Sequence, residues 1–427
     1  MPIKQFHYFL EAAFNPITKI HLHLGMKKYF ITCCFLIACY AHGFSQSPKP
    51  ILSLADSSVH VFFGANLKTT MLLTNRRPAP STGTAYLLLP KDGTGVEGTF
   101  DLNARASTIY LAADGPKLGS FKLGTKMVFY VIRDLADPAY GLLPALMYVD
   151  MKNDQWRFAV GQQVDVFAER IPNMIDGYFA LAASGCAGNS SRGQLRATRY
   201  IETGKNSKLS ITVAASQPVS TYFSKDLRNN SENNGVPNFE WAVKYEAGKD
   251  ENAWVPYNAV ELAISGITGS YRVFKNDTLG GAIVNTRINK PQVNGICGEY
   301  AFRLGKRFGI QGEVYSGQAL GNYLATIMQT TKGGNDKEIR SNGFWAEAAY
   351  YWKKNLQSRF GYGQDECNKQ DLMGAGVWKN STFFGNVIWD INKTVSTGIE
   401  LTHKSTQYLG LKDNQGMTFM WMFQYSF

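Results

Sequence analysis

The chain has 427 residues, a formal net charge of +11, 18% charged residues and 13% aromatics. Charge this sparse is unusual for a soluble globular domain, the large apolar residues are too many for a disordered chain, and no glycine period points to collagen. No stretch reaches the 18 or so consecutive apolar residues of a membrane-spanning helix, and the longest, Tyr29 to Ala41, falls short.

Met26-Lys27-Lys28, the apolar run Tyr29 to Ala41 and the exit Gly43-Phe44-Ser45-Gln46 are the three parts of a secretory signal peptide. Met26 is read as the start, residues 1–25 as an upstream overrun or extension, residues 26–45 as the signal peptide and Ser45 as the neighbourhood of cleavage. Losing four lysines and one glutamate leaves a mature charge of +8. Leu36-Ile37-Ala38-Cys39 also resembles a lipobox, so an acylated Cys39 is the alternative processing. Residues 46–57 form a short periplasmic lead, and the rest, 58–427, carries one continuous pattern.

That pattern is period-two alternation, the signature of strands with two different faces. Phe121, Leu123, Thr125, Met127 and Phe129 oppose Lys122, Gly124 and Lys126, and Trp156, Phe158 and Val160 oppose Gln155, Arg157 and Gly161. Phe344, Ala346, Ala348, Tyr350 and Trp352 face away from Glu347. Phe383, Val387 and Trp389 alternate with Thr382, Asn386 and Asp390, and Ile399 and Leu401 with Glu400 and Thr402. The last run is the clearest: Met417, Phe419, Trp421, Phe423, Tyr425 and Phe427 share one face. Tight turns are expected at 114–118, 152–154, 203–206 and 353–355, and long Gly/Asn/Ser-rich loops at 75–97, 169–193, 216–236 and 320–341. Tyr148, Tyr350, Tyr351, Trp352, Trp389 and Tyr425 suit interfacial girdles. The fold class is therefore all-β, a transmembrane antiparallel β-barrel. At roughly 24 residues per strand with its loops, it has about 16 strands.

Several segments carry a family resemblance. They are Asp101-Leu102-Asn103-Ala104-Arg105-Ala106-Ser107, Gly115 to Lys122, Tyr148 to Gln162 running on to Asp165-Val166-Phe167, Gly312 to Gln318, and Ile339 to Ala346. In this order, ahead of a terminal-Phe strand, they resemble the DcaP-like trimeric porins of Gram-negative outer membranes. The resemblance implies an integral outer-membrane homotrimer, a passive diffusion channel whose basic constriction gives a mild preference for small anionic solutes such as dicarboxylates. The coiled coil that often precedes the barrel in that family has no counterpart here.

The candidate site is the wall of the passage. Parity points Arg105, Lys122, Lys126, Arg157 and Arg196 into the lumen with Gln163, where a ring of cations would ease the dehydration of an anion. The alternative role is ion pairing with Asp101, Asp165, Glu299, Glu313 and Glu347 to stiffen the wall. Residues 169–192 are either an inward constriction or an ordinary outer loop. Trp421, Phe423, Tyr425 and Phe427 form the end that outer-membrane assembly machinery would read, and outer-membrane lipid would meet the same face. No catalytic residue, metal or cofactor is assigned. Cys186, Cys297 and Cys367 have no CxxC spacing, and the mature histidines are His60 and His403 alone. The basic residues are spread along strands rather than clustered, which argues against nucleic acid. The competing functions are a barrel-embedded hydrolase built on the two histidines and a secreted soluble β-sandwich binding module.

Overall fold

The computed structural model describes residues 52–53, 59–79, 87–91, 98–133, 140–175, 184–218, 235–279, 282–332 and 337–427. The leader, Cys39 and all of the lead except Leu52–Ser53 lie outside them.

Sixteen antiparallel strands close one barrel. In chain order they are β1 (His60–Thr74), β2 (Thr99–Asn103 continued by Thr108–Leu118), β3 (Phe121–Arg133), β4 (Tyr140–Lys152), β5 (Trp156–Val164), β6 (Ser191–Gly204), β7 (Ser207–Ser216) and β8 (Asn238–Ala247). Then follow β9 (Val260–Ser270), β10 (Gln292–Leu304), β11 (Phe308–Gln318), β12 (Arg340–Lys353), β13 (Leu356–Cys367), β14 (Val377–Asp390), β15 (Val395–Tyr408) and β16 (Asn414–Ser426). Each strand pairs with its neighbours in sequence, and the register Asn66↔Ser426 to Thr74↔Thr418 joins the last to the first. Phe427 completes the seam by exchanging backbone hydrogen bonds of 3.0 Å with Ala65 in both directions. Closure leaves no unpaired sheet edge, the condition for a sheet to sit in lipid. A two-sheet sandwich is thereby excluded.

Alternation sets the two faces as expected. Phe100, Leu102, Val160, Leu195, Phe344, Phe360, Phe383, Leu401, Met417 and Tyr425 are exposed on the outer face. Between them Asn103, Gln194, Glu347, Thr382, Glu400, Thr402 and Thr418 are buried on the inner face. Apolar side chains out and polar ones in is the membrane-barrel arrangement. Two of the expected girdle aromatics belong inside instead. Tyr351 is buried and its hydroxyl accepts from Arg359 Nη2 at 3.2 Å, and Tyr148 shares its face with Asp150, under the guanidinium of Arg157.

Loops alternate in length, with the short ones at the end that holds Phe427. The expected turn at 114–118 is displaced. Asp114-Gly115-Pro116 sits within β2 as a bulge, and the chain reverses at Gly119, whose φ of 59° suits glycine. On the short-turn end one connection is long, 248–259. On the opposite end, a hairpin of Val273–Leu279 with Ala282–Asn289 extends between β9 and β10.

Candidate functional site

The lumen is organised by the segment between β5 and β6, which turns inward. Backbone amides inside a barrel need acceptors where water is scarce, and inner-face carboxylates of β8 to β15 supply them. Val166 N donates to Glu240 Oε2 at 2.6 Å, Asn173 N to Glu347 Oε2 at 2.6 Å and Ile175 N to Glu400 Oε2 at 2.7 Å. On the returning limb Ala187 N donates to Glu313 Oε1 at 2.8 Å and Gly185 N to Asp365 Oδ2 at 2.6 Å. Arg170 N reaches Glu299 at 2.5 Å. Glu240, Glu299, Glu313, Glu347, Asp365 and Glu400 are all buried beneath this loop. Of the two readings the sequence leaves open for 169–192, inward segment or ordinary outer loop, the described parts, 169–175 and 184–192, follow the inward course.

Apolar packing fills the space behind the loop. Phe167, Ala168 and Ala187 pack with Ile267, Val293, Cys297, Tyr315, Leu320 and Tyr323. Ile175 meets Leu72, Met420 and Met422 on the far side, where Lys68 Nζ donates to Ile175 O. The 319–328 segment lies over the loop, with Gly188 N bonded to Tyr323 O at 2.6 Å and the Arg192 guanidinium 3.8 Å from the Tyr323 ring centre.

The facing wall, β1 to β6, holds the sequence candidates. Lys122, Lys126, Arg157 and Arg196 sit at inner-face register positions: Lys122 opposes Lys152, Lys126 opposes Tyr148, Arg157 opposes Lys152 and Arg196 opposes Ala159. Arg105 follows Asp101 and Asn103 on the same face and lines a recess with Thr70, Leu72, Ile175 and Met420. Most of these cations have partners on their own wall. Arg105 pairs with Asp101, Lys122 with Asp114 and Arg157 with Asp150. Arg196 donates to Gln194 Oε1 at 2.7 Å and to Val164 O. Lys126 is exposed and has no ion pair among the described residues. Gln163 is buried, and its Nε2 has no hydrogen-bond partner among the described residues. The same holds for Arg105 Nη1.

The ion-pair alternative is thus realised locally, not across the barrel. Of the five carboxylates named, Asp101 does pair with Arg105, but Asp165 pairs with Arg192 and Glu347 with Arg359. Alternation placed Glu299, Glu313 and Glu347 on the inner face without disclosing that a loop's amides would claim them. The inward loop has no strand period, and its partners lie 74 to 225 residues away.

The two histidines stand apart. His60 opposes Asp114 near the short-turn end, whereas His403 is exposed on the outer face and opposes Met417, whose carbonyl accepts from Asn75 N. The fifteen residues of chain between those levels span roughly 50 Å at strand rise. No dyad forms, and among the described residues no group of His, Cys, Asp and Glu could hold a metal.

No family model matches the chain, and no curated protein matches it. Solved structures do. The outer membrane channel DcaP of Acinetobacter baumannii matches with a TM-score of 0.67 at 15% identity, over 87% of this chain and 99% of that one. An anion-selective porin from Comamonas acidovorans gives 0.54 at 10% identity, over 86% and 100%. The trimer form of OmpT, an outer membrane protein of Vibrio cholerae, gives 0.51 at 11% identity, over 87% and 100%. The resemblance to DcaP-like porins therefore holds at the level of fold. With its closed sheet and apolar outer face, the chain is an integral outer-membrane barrel.

Proposed function

We propose that the chain is an outer-membrane porin, a non-enzymatic diffusion channel with a mild preference for small anions, dicarboxylates among them. One observation carries the reading. Glu240, Glu299, Glu313, Glu347, Asp365 and Glu400 are sealed beneath the inward loop, while Lys126 and Lys152 are exposed and Lys122 is half-buried on the facing wall. Fixed charge in a confined passage acts at short range and selects against ions of like sign. A passage that buries six carboxylates of one wall and keeps Lys126 and Lys152 accessible on the other is biased toward anions. Arg105, whose Nη1 is buried without a partner among the described residues, adds a donor beside it. Fold likeness to a porin described as anion-selective is consistent with this.

The functional unit is read as a homotrimer, in line with the fold likeness to an outer membrane protein solved in a trimer form. The terminal strand, with Trp421, Phe423, Tyr425 and Phe427, is read as the signal for barrel assembly. Reversal potentials in planar bilayers under a potassium chloride gradient test the channel. The expected sign is that of chloride permeation, and an ohmic cation-selective pore would overturn the anionic reading. Liposome swelling by a four-carbon dicarboxylate, measured against a neutral solute of equal size, tests the solute class.

A further inference from the structure

The long connection on the short-turn end, 248–259, also folds into the barrel. Small inner-face residues make room for it. Val255 and Tyr257 are buried with Ala301, Ala349 and Tyr351. A Cβ on Gly309 would lie 2.6 Å from Val255 Cγ1 and 2.8 Å from Tyr257 Cδ2, so this position admits no side chain while the turn is seated. Backbone bonds fix the turn further: Trp254 N donates to Lys306 O at 2.9 Å, and Arg303 Nη2 to Gly248 O at 2.7 Å.

Its inner tip ends on the carboxylates that hold the inward loop from the other side. Glu261 Oε1 accepts Asn258 N at 2.9 Å, while its Oε2 takes Arg170 Nη2. Glu347 Oε2 accepts Asn173 N, while its Oε1 takes Arg359 Nη1, which also donates to the Tyr257 hydroxyl at 3.1 Å. Gln311 links Arg170 to Glu347, accepting from Arg170 Nη1 at 2.9 Å and donating to Glu347 Oε1 at 3.2 Å. Two segments entering from opposite ends of the barrel thus share one buried polar network.

We infer that the 248–259 turn is a second element of the constriction, which positions the outgoing limb of the inward loop through Glu261 and Glu347. Tyr257 and Asn258 are its positioning residues. A turn at the short-turn mouth then sets how far Arg170 and Asn173 project into the passage. The inference rests on the lumen being the permeation path. It makes a prediction that a merely structural turn would not. Disturbing the turn should loosen Arg170 and Asn173 but leave Gly185 and Ala187, which hang from Asp365 and Glu313 beyond the network.

Hydrogen exchange on the whole protein in detergent micelles tests this with two variants. Tyr257→Phe removes the hydroxyl alone, and Gly309→Leu fills the recess and displaces the turn. Losing one buried hydrogen bond corresponds to roughly a three- to tenfold change in local opening. Exchange around Arg170 and Asn173 should rise by that factor in Tyr257→Phe and by more in Gly309→Leu, with exchange at Gly185 and Ala187 unchanged. In bilayers the open-channel noise should rise in the same order. Unchanged exchange at Asn173 in both variants overturns the inference, as does a uniform rise across both limbs. Neither of those results touches the channel reading, which stands or falls on the reversal potential of the unmodified protein.

Discussion

The two halves of the lumen wall carry opposite charge and handle it differently. On β2 to β5 three cations find a carboxylate a few residues away on the same wall: Arg105 with Asp101, Lys122 with Asp114, Arg157 with Asp150. On β8 to β15 Glu240, Glu299, Glu313, Glu347, Asp365 and Glu400 turn to backbone amides of a distant loop and are sealed from water. The first arrangement leaves charge at the passage at Lys122 and in part at Arg157, where it can act on a solute, whereas Arg105 is buried. The second converts charge into attachment points. Similar residue types do different work because only one wall is covered.

The largest expected effect falls on the covered wall. Glu347→Ala leaves the Arg359 guanidinium buried without its carboxylate and strips the acceptor from Asn173. Breaking a buried pair in this way costs roughly 3–5 kcal/mol. Lys122→Ala, whose pair with Asp114 is some 40% exposed on both sides, should cost under about 1 kcal/mol. Guanidinium unfolding of the refolded barrel, followed by tryptophan fluorescence, measures both. Equal losses would abolish the distinction between the walls.

Selectivity should respond in the opposite order. Reversing Lys122 and Lys126 to Glu changes fixed charge that water and solute can reach. The ratio of anion to cation permeability should fall roughly three- to tenfold at low salt, and less as salt screens the passage. Arg105→Glu with Arg157→Glu should shift the reversal potential less, because each arginine is partly offset by Asp101 or Asp150. It should also destabilise more, because it sets like charges side by side. A larger shift from the arginine pair would place the constriction at β2 and β5 and not at the lysines. A smaller effect again is expected from Glu366→Gln, which releases Lys379 at an accessible position and should leave selectivity within error.

Much of the barrel was legible because alternation is a local property. Each strand declares its faces from its own residues, so β12, β14 and β16 read correctly without any partner in view. Closure followed from strand number and the apolar last strand. The site was legible only in part. Parity placed Arg157 and Lys126 on the inner face, since that needs only their neighbours. It said nothing of which inner-face charges would be covered, because that depends on loops without a period. The 248–259 connection shows the limit. No element is assigned to it from sequence, and what draws Val255 and Tyr257 inward is a recess formed by Ala301, Gly309 and Ala349 on three other strands. The two misplaced aromatics have a similar cause: Tyr148 and Tyr351 carry hydroxyls that suit an interface or a polar lumen equally well.

A carboxylate outside both walls isolates the remaining variable, solvent access. Asp371 lies in the loop between β13 and β14, and Arg340, at the outer end of β12, donates to it through Nε at 2.7 Å and Nη2 at 3.0 Å. Hydrogen bonding from that guanidinium holds the Asp371 carboxyl below the usual aspartate range. A depressed folded-state value means that the pair stabilises the loop above the unfolded value, near 4, and loses that contribution as pH falls through the folded value. The loop should therefore hold at neutral pH and open only below about pH 4, seen as pepsin nicking within 368–376. Arg340→Ala removes the cause of the shift, so the same loop should be open to trypsin at Lys369 already at pH 7. Acid should then add little further opening. A wild-type loop that opens near pH 6, or an Arg340→Ala variant that resists trypsin at neutral pH, would show that the pair is too well hydrated to hold it. A pair at the mouth with one exposed partner, Arg340, would then contribute as little to stability as Lys122 and Asp114 are expected to on the open wall.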